Sequence, residues 1–315
     1  MPRLRQGARA PRGRLRLARL VLCALAAAVA ARAQTPAAGE TFATCAARFA
    51  QAPDDYEAAY CFYQTALDTG RVDDGRRAVD ALAARTPDNH WLTLVLGHFH
   101  RTGDPARAEA LYRRAAEAFR TAGHEEGELV SQSTLRGLLF PRGQVAEADA
   151  AIARVSAIGA TTSNRTLQAR AWTLEAMHRQ ASGGDVGYAY RLLKRGEAAI
   201  AAGGAYRARR VHLNALGQAA GRLGRLDESL DAFARLATLA KGEHDLQTEA
   251  VARYNAFTTQ SIRESYLPSA SSRIVLQDAA REALAVADAA RVDGVRAKLH
   301  AALAEFLAAA VSYTH

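Results

Sequence analysis

No stretch of the chain alternates apolar and polar residues with the period of two that a half-buried strand requires, which removes sheets and barrels. A Gly-rich phosphate loop, a Gly-x-Ser-x-Gly elbow and a Cys–His pair in local register are all missing, and with them the local signatures of phosphoryl transfer and nucleophilic hydrolysis. His124-Glu-Glu126 lacks the second histidine of a His-Glu-x-x-His zinc motif. His98 and His100, two residues apart, fall on different faces of a helix. Cysteine is scarce, three in 315 residues, and Cys45 and Cys61 have no histidine near them in sequence. Two thiols alone are a poor metal set. The chain reads as a non-enzyme with no cofactor and no metal.

Acid is absent from the first 33 residues, which carry Arg3, Arg5, Arg9, Arg12, Arg14, Arg16, Arg19 and Arg32. Those eight arginines account for nearly all of the formal net charge of +9, leaving +1 for residues 34–315. A near-neutral body with interspersed signs has no electrostatic footprint for a phosphate backbone, so the expected partner is not a nucleic acid. The basic stretch runs into Leu20–Ala30, about a dozen apolar residues, short of the roughly 20 a membrane span needs. Ala31-Arg-Ala33 follows, and the three regions together form the pattern of a secretory signal peptide over 1–33, cleaved after Ala33. An uncleaved anchor and an Arg-rich transit peptide are the alternatives. The expected location is exported, periplasmic or extracellular, with no membrane span after cleavage.

Cleavage leaves Cys45 and Cys61 in an oxidising compartment, where an even count permits a disulfide. They lie on successive helices joined by Pro53-Asp-Asp55, and antiparallel packing would bring their Cα atoms within the roughly 4.4–6.8 Å that a bridge needs. Two buried thiols acting as small apolar residues are the alternative.

What the chain does contain is a repeat. After a polar linker at 34–41 and a short helix over 42–50, units begin near Tyr56, His90, Leu129, Arg170, Arg210 and Ala250. Each is a helix of large and small apolar residues, a glycine near its end, and a second helix with alanine at its centre. Ala108, Leu111, Tyr112 and Ala115 follow the i, i+3, i+4, i+7 spacing of an inward stripe. The glycines at 123, 159 and 203–204 are expected to stop second helices that run about two turns longer from the second unit onward. Pro141 should end one first helix, and Tyr266–Ser272 should form an irregular loop. Asn164-Arg-Thr166 is a glycosylation sequon by pattern, but such triplets often arise by chance, and at this helix start the expected role of Thr162, Ser163 or Asn164 is the N-cap. Residues 292–311 read as the first helix of a partial seventh unit, with Val295, Leu299, Ala302, Leu303 and Phe306 as its stripe.

The best copy, Asn214-Ala-Leu216-Gly217-Gln-Ala-Ala220…Gly224-Arg-Leu226-Asp-Glu-Ser229…Phe233…Leu236, resembles the tetratricopeptide repeat. That resemblance implies an all-α, right-handed superhelical solenoid of antiparallel helix pairs over 42–315, six units plus a partial seventh. It also implies a concave groove lined by first helices, used to bind a protein or peptide. Carrying the family's groove positions onto this sequence gives Tyr60, Gln64, Trp91, His98, Arg101, Ser133, His178, Asn214, Gln218 and Arg222. The family's Hsp-tail carboxylate clamp is matched at Asn214, but no lysine occupies the corresponding place elsewhere.

Phe42-x-x-Cys45…Arg48-Phe49…Asp55-Tyr56…Tyr60-Cys61-Phe62-Tyr63 and Pro87-Asp-Asn-x-Trp91-Leu-Thr-Leu-Val-Leu-Gly97-His98 also resemble the repeat array preceding CHAT-type, caspase-like peptidase domains in some bacterial proteins. The peptidase's own His–Cys dyad is not in this sequence. This resemblance implies, as the alternative, the sensor part of a larger protein.

Overall fold

The computed structural model describes residues 41–266 and 270–312, so the leader read at 1–33 and almost all of the linker lie outside the described residues. The described residues form α-helices and one short 3-10 turn, without strands. None of the helices is long and apolar enough to cross a membrane.

The array opens with a single helix, α1 (Phe42–Gln51), capped by the Thr41 hydroxyl accepting from the Thr44 amide at 3.2 Å. Six helix pairs follow: α2 (Tyr56–Asp68) with α3 (Val72–Arg85), α4 (His90–His100) with α5 (Pro105–Thr121), and α6 (Glu125–Leu139) with α7 (Val145–Thr161). Next come α8 (Arg165–Ala181) with α9 (Val186–Gly203), α10 (Tyr206–Arg222) with α11 (Leu226–Gly242), and α12 (Leu246–Tyr266) with α13 (Ala270–Ala289). An unpaired α14 (Asp293–Ser312) closes the described chain. Helices pack mainly on their neighbours in sequence, with added contacts between successive first helices, which is how a solenoid covers its apolar faces.

The register differs from the expected one after the second unit. First helices start at 56, 90, 125, 165, 206 and 246, spacings of 34, 35, 40, 41 and 40. Units three to six therefore begin four or five residues earlier than the sequence pattern placed them. The longer period also has a different origin. First helices grow from 13 and 11 residues in units one and two to 15, 17, 17 and 21 afterwards, whereas second helices grow only from 14 to 17 or more. Pro141 does end a first helix, inside the 3-10 turn Phe140–Arg142. The Tyr266–Ser272 loop is narrower than expected: Tyr266 and residues 270–272 are helical, and only 267–269 fall between the helices, outside the described residues.

The Leu-Gly pairs have a steric purpose visible in two places. A Cβ on Gly97 would stand 2.5 Å from the Tyr112 ring, and one on Gly217 would stand 2.7 Å from the Phe233 ring. In both, the absent side chain admits an aromatic ring from the second helix of the same unit. Gly159 corrects an expectation. It lies inside α7 against the Ala171 methyl group rather than stopping the helix, which ends at Thr161. Gly123, with φ +67°, does sit in the left-handed conformation just past α5.

The inward stripe Ala108, Leu111, Tyr112 and Ala115 is buried throughout. On α14, Val295 and Leu299 are buried and Ala302 and Leu303 half-buried, while the side chain of Phe306 lies outside the described residues. Asn164 is a helix cap: its Oδ1 accepts from the Thr166 and Leu167 amides at 3.0 and 3.1 Å. Cys45 and Cys61 are fully buried and joined as a disulfide, with Cα atoms 5.7 Å apart, which ties α1 to α2.

Candidate functional site: the face of the first helices

Two cavities are lined chiefly by first helices. One, of about 400 Å³, lies among α6, α8 and α10, with Leu129, Val130, Leu167, Leu174 and Val211 as its apolar lining and Ser133 beside them. Its charges are balanced: an Arg170–Glu126 ion pair bridges α8 and α6, and Glu57 of α2 and Arg207 of α10 also border it. The second, of about 500 Å³, runs from α6 through α8 and α10 to α12. Arg136, Gln180, Gln218, Arg222, Asn255 and Thr258 supply its polar groups, and no carboxylate lines it. Within this second cavity Arg136 Nη2 and Gln180 Oε1 are buried and lack a hydrogen-bond partner. Gln180 Nε2 donates to the Ala215 carbonyl at 3.3 Å, which leaves the oxygen as the open acceptor.

The ten residues assigned to the groove divide into three groups. Ser133 borders the first cavity, and Gln218 and Arg222 border the second. Tyr60, Gln64, Arg101 and Asn214 are half-buried or exposed. Arg101 donates to the Gly137 carbonyl at 3.1 Å and Arg222 to the Gln180 carbonyl at 2.9 Å, while Asn255 donates to Asn214 at 3.4 Å. These three therefore also tie successive first helices together.

Trp91, His98 and His178 are buried and turned into the stack. Trp91 packs against Tyr56 and Phe119, with ring centroids 4.9 and 4.6 Å away. His98 Nδ1 is 3.0 Å from the Tyr112 hydroxyl, and the Tyr63 ring stacks 5.1 Å away. Burial, with the charges of Arg207 and Arg101, lowers the His98 pKa to about 3, so its ring is neutral. His178 accepts from Arg136 Nε through Nδ1 at 3.1 Å, so its Nε2–H faces Asp149 at 2.7 Å.

Two functional candidates were missed by sequence reasoning. Arg136 lies one helical turn beyond Ser133, and its only sequence signal is a cation on the lining face. Arg207 stands in the first turn of α10, yet its guanidinium reaches α2, four units back, 4.1 Å from the Tyr60 ring centroid and 5.1 Å from that of Tyr56. No local pattern contains that pairing. Among the described residues, no three His, Cys, Asp or Glu side chains are grouped to hold a metal ion.

No protein-family model matches the chain, and no curated protein matches it in sequence. Solved structures do resemble it. The APC/C hetero-tetramer Cut9–Hcn1 superposes with a TM-score of 0.56 at 12% identity over 82% of this chain and 45% of that one, so the chain spans less than half of the Cut9–Hcn1 chain it matches. A Rap protein complexed with Competence and Sporulation Factor gives 0.51 at 10% identity, covering 84% of this chain and 80% of that one. The apo quorum sensor NprR from B. thuringiensis gives 0.50 at 11%, covering 84% and 82%. At such identities the likeness is one of fold. The chain is an all-α, tetratricopeptide-type helical-repeat solenoid.

Proposed function

We propose that the chain is a non-enzymatic interaction scaffold that holds a polypeptide partner against its first helices. The observation that carries this reading is the second cavity. A surface lined by two arginines and three carboxamides without an acid, and retaining a buried donor and a buried acceptor without partners, is incomplete alone. A peptide backbone offers a carbonyl and an N–H to such a pair, and a carboxylate suits the arginines. The likeness in fold to a Rap protein complexed with a factor and to a hetero-tetramer subunit supports an interaction role. Export, supported by the leader pattern over 1–33, is the location this reading assigns. A second reading makes the array the sensor part of a CHAT-type protein, on the strength of the Phe42…Tyr63 and Pro87…His98 motifs. A reading frame continuing past His315 would support that version.

The test places a bulky side chain in the second cavity. Gln218 is exposed, so Gln218→Trp should fold and melt like the parent. Affinity recovery from the native compartment should then lose the partners that the parent retains, while Arg191→Ala on α9, away from both cavities, recovers them. Equal recovery by the folded Gln218→Trp variant would refute the reading.

A further inference from the structure

The contact between Arg207 and the first unit is unlike the others that link helices in this array. Ion pairs between units, such as Arg170–Glu126, Arg210–Asp245 and Arg235–Glu197, join adjacent units. Arg207 instead crosses from α10 to α2, two helices that do not otherwise pack as a pair. It has no carboxylate within ion-pair distance among the described residues. Its guanidinium lies over Tyr60 and Tyr56, which are one helical turn apart on α2 with ring centroids 6.0 Å from each other. Glu57, beside them on the same helix, supplies a negative charge that acts on Arg207. Burial opposes the guanidinium's charge, and the Tyr56 and Tyr60 hydroxyls with Glu57 outweigh it, holding Arg207 above the ordinary arginine range.

A pair of stacked-upon phenols with one carboxylate at the side is chemistry that selects a cation. Aromatic faces attract guanidinium and ammonium groups through the ring quadrupole, most strongly when water is partly excluded. The seat borders open space, because Glu57 and Arg207 both line the 400 Å³ cavity. Behind the tyrosines, His98 is neutral and adds no competing positive charge.

We infer that Tyr56, Tyr60 and Glu57 form a binding site for an arginine or lysine side chain of a polypeptide partner, and that Arg207 is the chain's own occupant of it. The inference rests on the proposed scaffold role and names a chemical class of partner for its N-terminal end. A resident cation lowers the apparent affinity for an incoming one by the fraction of molecules in which the seat is free. A partner that places a cation there releases Arg207 towards the cavity, where it can pair with an acid on the same partner. Occupied, the seat links units one and five; vacated, it lets them separate, so partner binding and opening of the array are coupled.

The experiment uses the full chain and a fluorescein-labelled peptide of three arginines spaced by glycine, followed by anisotropy, with a glutamine version as control. Arg207→Ala should bind the arginine probe about tenfold more tightly than the parent. Arg207→Lys, which refills the seat, should bind like the parent. Adding Tyr60→Leu to Arg207→Ala should abolish the gain, and adding Glu57→Gln instead should reduce it, which keeps the test valid if the tyrosine variant folds poorly. No gain in Arg207→Ala, a gain that survives both seat substitutions, or equal binding of the glutamine probe would overturn the inference. Free argininamide competing as well as the peptide would show a small-molecule cation site and overturn the assignment to a polypeptide. Failure here, with native-partner recovery still lost in Gln218→Trp, would leave the scaffold reading standing.

Discussion

The two ends of the array solve the same packing problem with different side chains. The opening helix α1 and units one and two are filled with rings. Phe49, Phe62, Tyr63, Phe99, Trp91, Tyr112 and Phe119 are all buried, and most ring-to-ring contacts of the described residues lie between Phe42 and His124. The first helices of these two units are short, 13 and 11 residues, and their period is 34 or 35 residues. Units four to six are packed with alanine: Ala176, Ala189, Ala215, Ala219, Ala220 and Ala232 in one cluster, Ala250, Ala280, Ala283 and Ala287 in another. An alanine buries little area, so each turn contributes less, and these units have longer first helices, of 17 to 21 residues, joined by polar ties. Tyr206 and Arg210 both reach Asp245 of the next unit, at 2.7 and 3.2 Å, and Thr173 meets His212 at 2.9 Å. The ringed end holds the cation seat, and the alanine end, with Arg136 of α6, holds the acid-free cavity.

If that contrast is energetic, truncating a ring should hurt most. Phe62 is fully buried, with the rings of Phe42, Phe49 and Phe99 at 5.1, 5.2 and 6.0 Å. Phe62→Ala should cost about 3–5 kcal/mol. Because solenoid units are stabilised by their neighbours, the loss should fall on the unfolding of the N-terminal units. Urea unfolding followed at probes in each half would show it. A shift below about 1 kcal/mol, or an equal shift in both halves, would break the comparison.

The disulfide sharpens it further. Cys45 and Cys61 are 16 residues apart in sequence, and a loop of that size is worth about 3 kcal/mol by the chain-entropy account. Cys45→Ser with Cys61→Ser should therefore destabilise α1 and α2 while leaving α10–α13 unchanged in hydrogen exchange. Intact mass of the folded protein with and without reduction checks the bridge itself, and two freely alkylatable thiols would disprove it.

Acid should reach both ends through their buried histidines. Burial lowers His98 to about 3 and His212 to about 4. Both pKa values are depressed relative to the unfolded chain, whose histidines titrate near 6.5, so the stability they confer is complete above that pH. It declines as pH falls towards those values, by about 1.4 kcal/mol per unit for each histidine. His98→Gln should flatten the acid limb of the N-terminal transition alone. An unchanged slope between pH 6.5 and 4 would show that His98 does not titrate out of this core.

The glycine contacts come next in size. Gly217→Leu drives a side chain into the Phe233 ring and should cost about 1–3 kcal/mol. A parental melting temperature would mean that the repeat register around Leu216-Gly217 is wrong.

Much of this was legible in the sequence, for reasons that residues make plain. Helical period, the inward stripe from Ala108 to Ala115 and the stripe from Val295 to Leu299 depend only on local spacing, and all are buried as spaced. Register was harder. The consensus motifs mark the middle of a first helix, and where that helix gains a turn at its N-terminus, as at Arg165 or Tyr206, the motif does not move with it. The same extension explains why carrying over positions from a 34-residue unit is unsafe here. His178 occupies a groove position by offset but is 6% exposed between Arg136 and Asp149. Trp91 and His98 are drawn inward by something else, the surrounding rings of Tyr56, Tyr63 and Phe119. Arg207 had no sequence signal, because what gives it meaning is a helix 150 residues away in the chain.

The smallest expected change in stability comes from the open polar positions, and it separates tying helices together from binding a partner. Arg101, Asn214 and Arg222 each form a single hydrogen bond to a neighbouring first helix, and both arginines are exposed. Solvent can replace those bonds, so alanine at each position should cost about 0.5 kcal/mol or less. Arg222 differs from Arg101 in one respect: it borders the acid-free cavity, and Arg101 borders neither cavity. Arg222→Ala should consequently reduce native-partner recovery while Arg101→Ala leaves it intact, although the two lose equivalent bonds. If both variants lose the partner equally at unchanged melting temperature, the binding face extends beyond the cavity into the ringed units. If neither does, those arginines serve only to join helices, and partner contact falls to Arg136, Gln180 and Gln218.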